Sequence, residues 1–562
     1  MRYFVCVAIL NLIAFSAYGQ NTVGTITYDP EESLGGYHLI YPERQSTIFL
    51  MDECGQVLHR WEDENPNSAR PGAVAYLLED GRILRAKVDG EIISQSSFGA
   101  GGSGGVVELL SWDNEVLWTY VVADSIKRQH HDVHYMPSGN VLILAYERFF
   151  VEDIVANGFD TLTNNQRILW SDMILEVDPA TDSIVWEWHA WDHLVQEHDS
   201  SRLNFGEVSE HPERININYQ DFTATRDDWI HANALDYNEE LDQIMISARN
   251  FNEIWIIDHS TTSEQAASSS GGNSDQGGDL LWRWGNPHAY QQATLEEEQL
   301  FWNHDAQWID DFVDEDYPYY GDVAVFNNFI DFIVEGGESR GQIISPNWDA
   351  ESQTYQMASE RFLPVDFSET FSHPDTAKNF STQASSIQIM GDGHVIMCAG
   401  RQGRSFEINP EGELVWEYVT PLRFGQPFPQ GSTLNISENF TFQVERYPAD
   451  YAAFDGRDLS PQGYLELDPN EEFCLLVSAD EPVIEVSSLQ VFPNPTTNYF
   501  SVQAEGEWNR PMLLQLLNAH GQEVRKWTWQ ENGQSFDIAS LPKGLYILRS
   551  IEGNFSQQII KQ

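Results

Sequence analysis

Met136-Pro-Ser-Gly-Asn-Val-Leu142 is the stretch of the chain that decides its fold. A Pro-Ser-Gly-Asn turn leads directly into a hydrophobic, β-branched run, which is the pattern of a hairpin that enters a strand. The same pattern returns at Leu78-Glu-Asp-Gly-Arg-Ile-Leu84 and at Met390-Gly-Asp-Gly-His-Val-Ile396. The chain is therefore built from a repeated β-hairpin unit.

A second recurring element is a turn followed by an apolar pair and a tryptophan. Its five copies end at Trp61, Trp118, Trp186, Trp282 and Trp416. A period of roughly 50 to 100 residues, with about four short strands and one aromatic residue in each unit, is typical of a β-propeller blade. Units are placed near 70–120, 130–188, 230–284, 304–360 and 384–418, with a sixth at 38–61 for which residues from 440–480 are candidates to close it. The sequence predicts an all-β, six-bladed propeller over 20–480.

Composition excludes some classes of partner. The 562 residues are 41% hydrophobic and 12% aromatic, which is enough for a large core and a second domain. The formal net charge of −57 excludes nucleic acid as a natural partner, because such binding needs a basic surface. It also disfavours binding to anionic membranes, and it is typical of a strongly solvated surface.

The N-terminus has the pattern of a signal peptide over residues 1–19. The apolar run Phe4 to Phe15 is followed by Ala17-Tyr-Gly19, a small-residue cleavage site before Gln20. The run is too short to span a bilayer comfortably, and no other stretch looks transmembrane. We expect a soluble, exported mature chain.

Cysteines are few. Cys6 belongs to the signal peptide, which leaves Cys54, Cys398 and Cys474 at wide spacings. One disulfide is possible, but this pattern favours a buried thiol at each position. No Cys-x-x-Cys pair suggests zinc or redox chemistry, so we expect no metal and no cofactor.

A change of composition near 480 marks a domain boundary. The acidic, proline-containing linker Ser478-Ala-Asp-Glu-Pro482 is followed by a new alternating pattern that predicts a small β-sandwich over 487–562. Phe492-Pro-Asn-Pro495, Leu517-Asn-Ala-His-Gly-Gln-Glu-Val524 and Leu541-Pro-Lys-Gly-Leu-Tyr-Ile547 resemble the C-terminal sorting domain of the type IX secretion system of Bacteroidetes. The resemblance implies export by that machinery after passage through the periplasm, with release or attachment to the cell surface.

Three histidines stand at the start of strands in three successive repeats: His131, His231 and His304. In a rotationally repeated fold, residues at one repeat position point at one axis, so these side chains are predicted to meet in one pocket. A single histidine at a strand start is more often a structural residue. Ala73 and Ser385 occupy the matching place in two other repeats, so the fold itself does not require histidine there.

Two further side chains are candidates beside the histidines. Asn233 follows His231 by two positions, which in a strand puts both on one face. Arg249 ends the first hairpin of the same repeat, and a guanidinium matches a tetrahedral oxyanion with several donors. A surface ion pair is the alternative interpretation of Arg249.

Several of these motifs together resemble the bacterial aryl-sulfate sulfotransferase family: His130-His-Asp132, Asp228-Trp-Ile-His-Ala-Asn233, Ser247-Ala-Arg249, Trp282-Arg-Trp-Gly285 and Asn303-His-Asp-Ala306. The resemblance covers roughly 25–430. It implies transfer of a sulfuryl group from a phenolic sulfate ester to a phenolic acceptor without a nucleotide donor, and no Gly-rich phosphate loop occurs in the sequence. By the same resemblance, His304 is the nucleophile that forms a sulfohistidine. His231 and His131 act as acid, base or oxyanion donors, while Arg249 and Asn233 hold the sulfuryl oxygens. His130 and His134 are alternatives to His131 in this role, and only the matching offset of His131 from Met136 favours it.

Two other functions remain open from the sequence. Three convergent histidines can bind zinc or copper, which would make the protein a metalloenzyme. A noncatalytic propeller that binds glycans or a protein partner is the second alternative.

Overall fold

The computed structural model describes residues 21–90, 100–102, 104–161, 167–219, 227–329, 338–474, 488–505, 512–518, 523–529, 533–550 and 556–562. The chain divides into two compact units, Met1–Ser478 and Ala479–Gln562. The predicted signal peptide and the 478–482 linker lie outside the described residues. The regular secondary structure of the described parts is mostly β-strand, which confirms the all-β prediction.

The described part of the first unit contains six larger antiparallel sheets, named I to VI here. Their strands, in sheet order, are Thr441–Tyr447, Tyr37–Pro42, Ile48–Met51 and Val57–Trp61 in sheet I; Ala69–Leu77, Ile83–Asp89, Val106–Leu110 and Val116–Val121 in sheet II; Lys127–Tyr135, Val141–Phe150, Ile168–Asp178 and Ser183–His189 in sheet III; Ala232–Asn238, Gln243–Ala248, Glu253–Asp258 and Trp282–Trp284 in sheet IV; His304–Trp308, Val323–Asn327, Arg340–Ile344 and Glu369–Phe371 in sheet V; and Ser385–Met390, His394–Ala399, Arg404–Ile408, Leu414–Val419 and Gly24–Tyr28 in sheet VI.

Short elements connect these strands. The two-stranded pairs are Leu194–Val195 with Ile215–Asn216, Trp348–Asp349 with Thr354–Tyr355, Met357–Ala358 with Arg361–Phe362, and Leu422–Arg423 with Gln426–Pro427. The α-helices are Val151–Ala156, Ser263–Ala266 and Thr376–Asn379, and the 3₁₀ turns are Ala190–Asp192, Val208–Glu210, Arg249–Phe251, Pro287–Tyr290, Leu295–Glu297, Gly400–Gln402 and Ala452–Phe454.

The turns that the sequence predicts are present in sheets II, III and VI. Gly81, Gly139 and Gly393 all have positive φ, of 85°, 88° and 119°. In sheet III the Gly139 N–H donates to the carbonyl of Met136 at 2.9 Å, which closes the turn. Glycine adopts this backbone conformation at no steric cost, so the pattern that marks the repeat also fixes its hairpins.

Sheets I and VI each draw a strand from the far end of the unit. Thr441–Tyr447 pairs with Tyr37–Pro42 in sheet I, and Gly24–Tyr28 pairs with Leu414–Val419 in sheet VI. Strands from the two ends of the first unit are therefore paired with strands of the opposite end in sheets I and VI.

The five tryptophans of the recurring turn element are called the outer tryptophans here. Each of them joins its own sheet to a neighbouring one. The indole N–H groups donate as follows: Trp61 to the Ser111 carbonyl, Trp118 to Asp182, Trp186 to Thr261, Trp282 to the Leu363 carbonyl and Trp416 to the Glu53 carbonyl. The last of these runs from sheet VI to sheet I. An indole offers a large apolar surface with one polar group, which suits a contact that is buried and directional.

The first strands of the six sheets are also joined in order by side-chain hydrogen bonds. The bonds are Leu77 N–H to Tyr447, Tyr76 to Asp132, Leu235 N–H to Asp132, Trp308 N–H to Asp236, Ile387 N–H to Asp305 and Arg446 N–H to Gln388. Hydrophobic clusters fill the space between neighbouring sheets, with Leu50 and Ile83, Leu84 and Val141, Leu142 and Ile244, Ile256 and Val323, Ala324 and Val395, and Val57 and Ile396 as representative pairs. Both faces of most strands are therefore buried.

A disulfide links Cys54 to Cys474, with Cα atoms 5.8 Å apart. The prediction of a buried thiol at each cysteine is wrong for these two and holds for Cys398, which is free and buried. The bridge connects the turn between strands Ile48–Met51 and Val57–Trp61 of sheet I to the end of the first unit. Residues 420 positions apart cannot be paired from sequence spacing alone.

The second unit has two antiparallel sheets. One contains Ser488–Phe492, Tyr499–Glu505 and Ser535–Asp537, and the other contains Glu523–Trp529, Met512–Asn518, Gly544–Ser550 and Ser556–Lys561. Phe500 and Phe536 of the first share one buried core with Leu514, Leu516 and Leu548 of the second.

Candidate active site

One cavity, of about 620 Å³, brings together four of the five side chains that the sequence singles out. They are His131, His231, His304 and Arg249. Its lining also includes Glu43, Arg70, Gly101, Gly102, Asp228, Gln383, Ala384, Phe440 and Phe442. The histidines come from the first strands of sheets III, IV and V: His131 lies in the middle of Lys127–Tyr135, His231 directly precedes Ala232–Asn238, and His304 begins His304–Trp308.

The backbone explains why His131 and His231 turn toward the cavity. Their φ angles are 48° and 54°, in the left-handed region that a histidine seldom adopts. His304 differs, because the positive φ, 54°, falls on the next residue, Asp305. The three histidines thus converge without occupying the same position of the repeat. Backbone strain of this kind is concentrated at functional sites.

His304 has one fixed tautomer. Its Nδ1 lies 2.8 Å from the Trp302 carbonyl and 2.7 Å from Oδ1 of Asn328, and both partners are acceptors. Its Nε2 accepts the peptide N–H of Ala384 at 3.0 Å. The proton therefore lies on Nδ1 and the lone pair on Nε2. Burial and the charge of Arg249 lower the pKa of His304 to about 3, so the imidazole is neutral.

His231 is held by a buried carboxylate. Its Nδ1 lies 2.5 Å from Oδ2 of Asp228, which also accepts the N–H of Gly101 at 2.9 Å, and the hydroxyl of Tyr146 donates to Oδ1 at 3.1 Å. Burial alone raises the pKa of Asp228, but the charge and hydrogen bond of His231 and the Gly101 N–H lower it overall. Asp228 is therefore an ionised anchor, and it leaves Nε2 of His231 for a ligand.

His131 is paired with a second histidine. Its Nδ1 lies 2.8 Å from Nδ1 of His130, which is fully buried and stacks on Tyr146 with ring centroids 3.5 Å apart. Burial, then the neighbouring His231, His130 and His304 and the charge of Arg249, hold the pKa of His131 well below its usual range. The ring of His131 lies 4.7 Å from that of His231, so both imidazoles face one point of the cavity.

Arg249 supplies positive charge to the lining. It follows strand Gln243–Ala248 and starts the 3₁₀ turn Arg249–Phe251. Its guanidinium donates to Oδ1 of Asn250 at 2.8 Å and lies over the ring of Trp302, 5.1 Å from the centroid. These contacts hold the arginine beside the histidines, and they make it a candidate for binding an anion on a strongly acidic protein.

Asn233 lies away from the cavity lining. It is 1% exposed, and its amide donates to the carbonyl of Asn303 at 2.9 Å. The positive φ of His231 and an irregularity in pairing between Ala232 and Leu235 break the two-residue alternation. The expectation that Asn233 shares a face with His231 fails for this reason. The contact instead fixes the backbone just before His304.

Two glycines let the chain lie directly against the histidines. A Cβ on Gly101 would meet Cε1 of His231 at 2.4 Å. A side chain at Gly102 is doubly excluded, because its φ is 64° and a Cβ would overlap the ring of His131. No larger residue fits at either place without displacing an imidazole.

Sequence reasoning missed several members of the site: Asp228, Tyr146, Asp172, Asn328 and Ala384. Asp228 stood within a quoted motif, three positions before His231, so adjacency could have drawn attention to it. Tyr146, Asp172, Asn328 and Ala384 carry no local signal, because only the packing of neighbouring sheets brings them to the histidines. Within the described ranges, no group of three or more His, Cys, Asp or Glu side chains is arranged to hold a metal ion.

Two models of known protein families match the chain. The family model described as arylsulfotransferase (ASST) matches residues 77–421, well over half of the chain. The chain belongs to the arylsulfotransferase family. A second model, for a secretion system C-terminal sorting domain, matches residues 490–562. Both resemblances seen in the sequence are thereby confirmed, and the arylsulfotransferase match covers every histidine of the cavity.

Other comparisons add little to the arylsulfotransferase assignment. No curated protein matches the chain. Among solved structures, a protein of unknown function from Bacteroides caccae is 10% identical with a TM-score of 0.37, covering 73% of this chain and 98% of its own. A virginiamycin B lyase from Staphylococcus aureus is 8% identical with a TM-score of 0.31, covering 73% and 92%. A protein from Lactobacillus plantarum is 9% identical with a TM-score of 0.34, covering 90% and 99%.

The part of the arylsulfotransferase chain that the structure describes contains no helix with the length and apolar character needed to cross a bilayer.

Proposed function

We propose that this arylsulfotransferase moves a sulfuryl group from a phenolic sulfate ester to a phenolic acceptor, through a sulfohistidine on His304 and without a nucleotide donor. The observation that carries the proposal is the His304 imidazole, with Nδ1 donating to Asn328 and Trp302 and a lone pair on Nε2. A neutral imidazole with its proton fixed on one nitrogen is a ready nucleophile at the other.

The proposed architecture is a six-bladed propeller over 20–480, with sheets I to VI as blades. The two sets of sheet-to-sheet hydrogen bonds, from indoles and from first strands, support this arrangement. We assign 1–19 to a signal peptide and 487–562 to the sorting domain. The protein then passes through the periplasm, leaves by type IX secretion, and is released or attached to the surface.

In the first half-reaction, the lone pair of His304 Nε2 leaves the Ala384 N–H and attacks sulfur. The bond from sulfur to the phenolic oxygen breaks, and the donor departs as a phenol or phenolate. Arg249, together with a His231 that carries a proton on Nε2 as well as on Nδ1, binds the sulfuryl oxygens, whose negative charge grows as the group is transferred. In this half-reaction His304, not water, attacks sulfur, so the sulfuryl group stays on the enzyme.

In the second half-reaction, the hydroxyl oxygen of an acceptor phenol attacks the same sulfur, and the bond from sulfur to Nε2 breaks. His131 faces the position of this hydroxyl and is assigned to proton transfer. Asn233 acts from a distance, because its bond to the Asn303 carbonyl fixes the segment that carries His304. Phe442, whose ring centroid is 5.8 Å from His131 and 6.1 Å from His304, supplies an apolar wall for aromatic substrates.

The proposal is tested with the secreted chain, 4-nitrophenyl sulfate as donor and phenol as acceptor. Nitrophenolate release should depend on phenol, apart from a first turnover equal to the enzyme present. His304→Asn should abolish both phases. Continuous release without phenol would mean that water is the acceptor, and absence of release under all conditions would refute the reaction.

A further inference from the structure

A line of three buried groups runs from His131 away from the cavity. His131 Nδ1 lies 2.8 Å from His130 Nδ1, and His130 Nε2 lies 3.1 Å from Oδ1 of Asp172. His130 and Asp172 are fully buried, on strands Lys127–Tyr135 and Ile168–Asp178 of sheet III, which flank strand Val141–Phe150 on its two sides. Both separations are within the range over which protons are transferred between side chains.

The two imidazoles can hold only one hydrogen between their Nδ1 atoms, so their tautomers are coupled. When His130 carries its proton on Nε2, its Nδ1 is an acceptor, and His131 then donates from Nδ1 and presents a lone pair at Nε2. When Asp172 is protonated and donates to His130 Nε2, both rings reverse. His131 then presents an N–H to the cavity.

The electrostatics favour proton movement along this line over storage on an imidazole. Burial, the neighbouring histidines His231, His130 and His304, and the charge of Arg249 keep the pKa of His131 well below its usual range, which disfavours an imidazolium. Burial and the charge of Asp228 raise the pKa of Asp172 well above that of an ordinary carboxyl, against the opposing effects of His231 and the N–H of Ala232. Asp172 is therefore the most favourable resting place for the proton.

Asp172 also has a vacant oxygen. Its Oδ1 accepts the Ala232 N–H at 3.1 Å, whereas Oδ2 has no hydrogen-bond partner among the described residues. His130 Nε2 is likewise without a directed hydrogen bond there, because the 3.1 Å contact with Asp172 lies off the N–H axis. A small rotation of the ring or the carboxyl aligns the two, and such loose contacts are common before substrate binds.

We propose that Asp172, His130 and His131 form a proton relay that protonates the departing phenolate and later takes the proton back from the acceptor phenol. The inference rests on the proposed sulfuryl transfer. In the first step, the Asp172 proton moves to His130 Nε2, the His130 Nδ1 proton to His131 Nδ1, and the His131 Nε2 proton to the leaving oxygen, which yields a phenol and an Asp172 carboxylate.

In the second step each proton moves back. The acceptor hydroxyl gives its proton to His131 Nε2 as its oxygen binds sulfur, and Asp172 regains a proton through His130. In each turnover the relay gives one proton to the leaving oxygen and receives one from the acceptor hydroxyl, so the enzyme returns to its starting state without exchange with bulk water.

The test compares two donors in the first half-reaction, without acceptor. A nitrophenolate leaving group needs no proton, whereas unsubstituted phenolate is a strong base and does. Asp172→Asn keeps the shape of the side chain but cannot carry the proton. We expect phenol release from phenyl sulfate to slow by roughly 100-fold or more, and nitrophenolate release from 4-nitrophenyl sulfate to slow far less.

Two further variants make the result decisive. His130→Gln breaks the relay at another point and should show the same preference between donors. Asp236→Asn removes a half-buried carboxylate that likewise accepts a backbone N–H, from Trp308, but lies outside the relay, and it should affect both donors alike. An equal loss with both donors in Asp172→Asn and His130→Gln would overturn the relay. Failure of the wild-type protein to release either product would instead refute the proposed function.

Discussion

His259 is expected to make the stability of the first unit depend on alkaline pH. It follows strand Glu253–Asp258 of sheet IV and bridges two carboxylates, with Nδ1 2.7 Å from Asp242 and Nε2 3.1 Å from Glu176 of sheet III. Burial alone lowers the pKa of His259, but the hydrogen bonds and charges of the two carboxylates raise it to about 9.

The direction and the size of the pH dependence of stability follow from this pKa. A histidine with a folded-state pKa above its unfolded value stabilises the fold fully below about pH 6.5, and the contribution is lost as pH rises through about 9. The interval from 6.5 to about 9, at about 1.4 kcal/mol for each pKa unit, gives about 3 kcal/mol. The His259 side chain is only 12% exposed, but that of Asp242 is 37% exposed, so solvent screens the contact with Asp242 and about 3 kcal/mol is an upper value.

The assay is urea unfolding of the wild-type chain and His259→Gln, followed by tryptophan fluorescence at pH 6 and pH 10. The wild-type advantage in the free energy of unfolding should be larger at pH 6 by up to about 3 kcal/mol and should nearly disappear at pH 10. His288→Gln, at an exposed histidine, serves as the control. An advantage of His259 that is the same at both pH values would refute the reasoning.

Three other predictions concern the site and the disulfide. Asp228→Asn removes the anion that holds His231 and should slow turnover by roughly 100-fold or more in steady-state assays, while the substrate concentration for half-maximal rate stays unchanged. An increase in that concentration with an unchanged maximal rate would contradict the prediction. Gly101→Ala should displace the His231 ring and lower the maximal rate by about 100-fold, whereas Gly544→Ala, where nothing lies within 4 Å, should not; equal rates in the two variants would count against the role of Gly101. Cys474→Ser should lower the free energy of unfolding by about 2–5 kcal/mol in urea, and reduction of the wild-type chain should reproduce the loss; an unchanged midpoint would contradict a stabilising bridge.

The fold could be predicted as far as its signals were local. The hairpin turns at Gly81, Gly139 and Gly393 and the outer tryptophans are each readable within a few residues, and they yielded the all-β assignment. Gly24–Tyr28 was not predicted as a strand of sheet VI, because no residue in it indicates a partner some 390 positions away. The Cys54–Cys474 disulfide was missed for the same reason.

The features of the site also differ in whether the sequence predicts them. The repeat pattern predicted that the three histidines meet, with Arg249 a candidate beside them, and the structure brings all four to one cavity. The offset of His304 by one residue and the inward turn of Asn233 depend on irregularities in strand pairing, which carry no sequence pattern. Asn328 and Asp172 act on the histidines across turns and between strands, so the protonation states they set could be seen only in three dimensions.

The most direct test of the central claim is the intact mass of the protein after incubation with 4-nitrophenyl sulfate in the absence of phenol. The account predicts a gain of one SO₃ group, located on His304 by peptide mapping, that phenol removes and that His304→Asn lacks. Nitrophenolate release with no such adduct, or an adduct on another residue, would contradict transfer through His304.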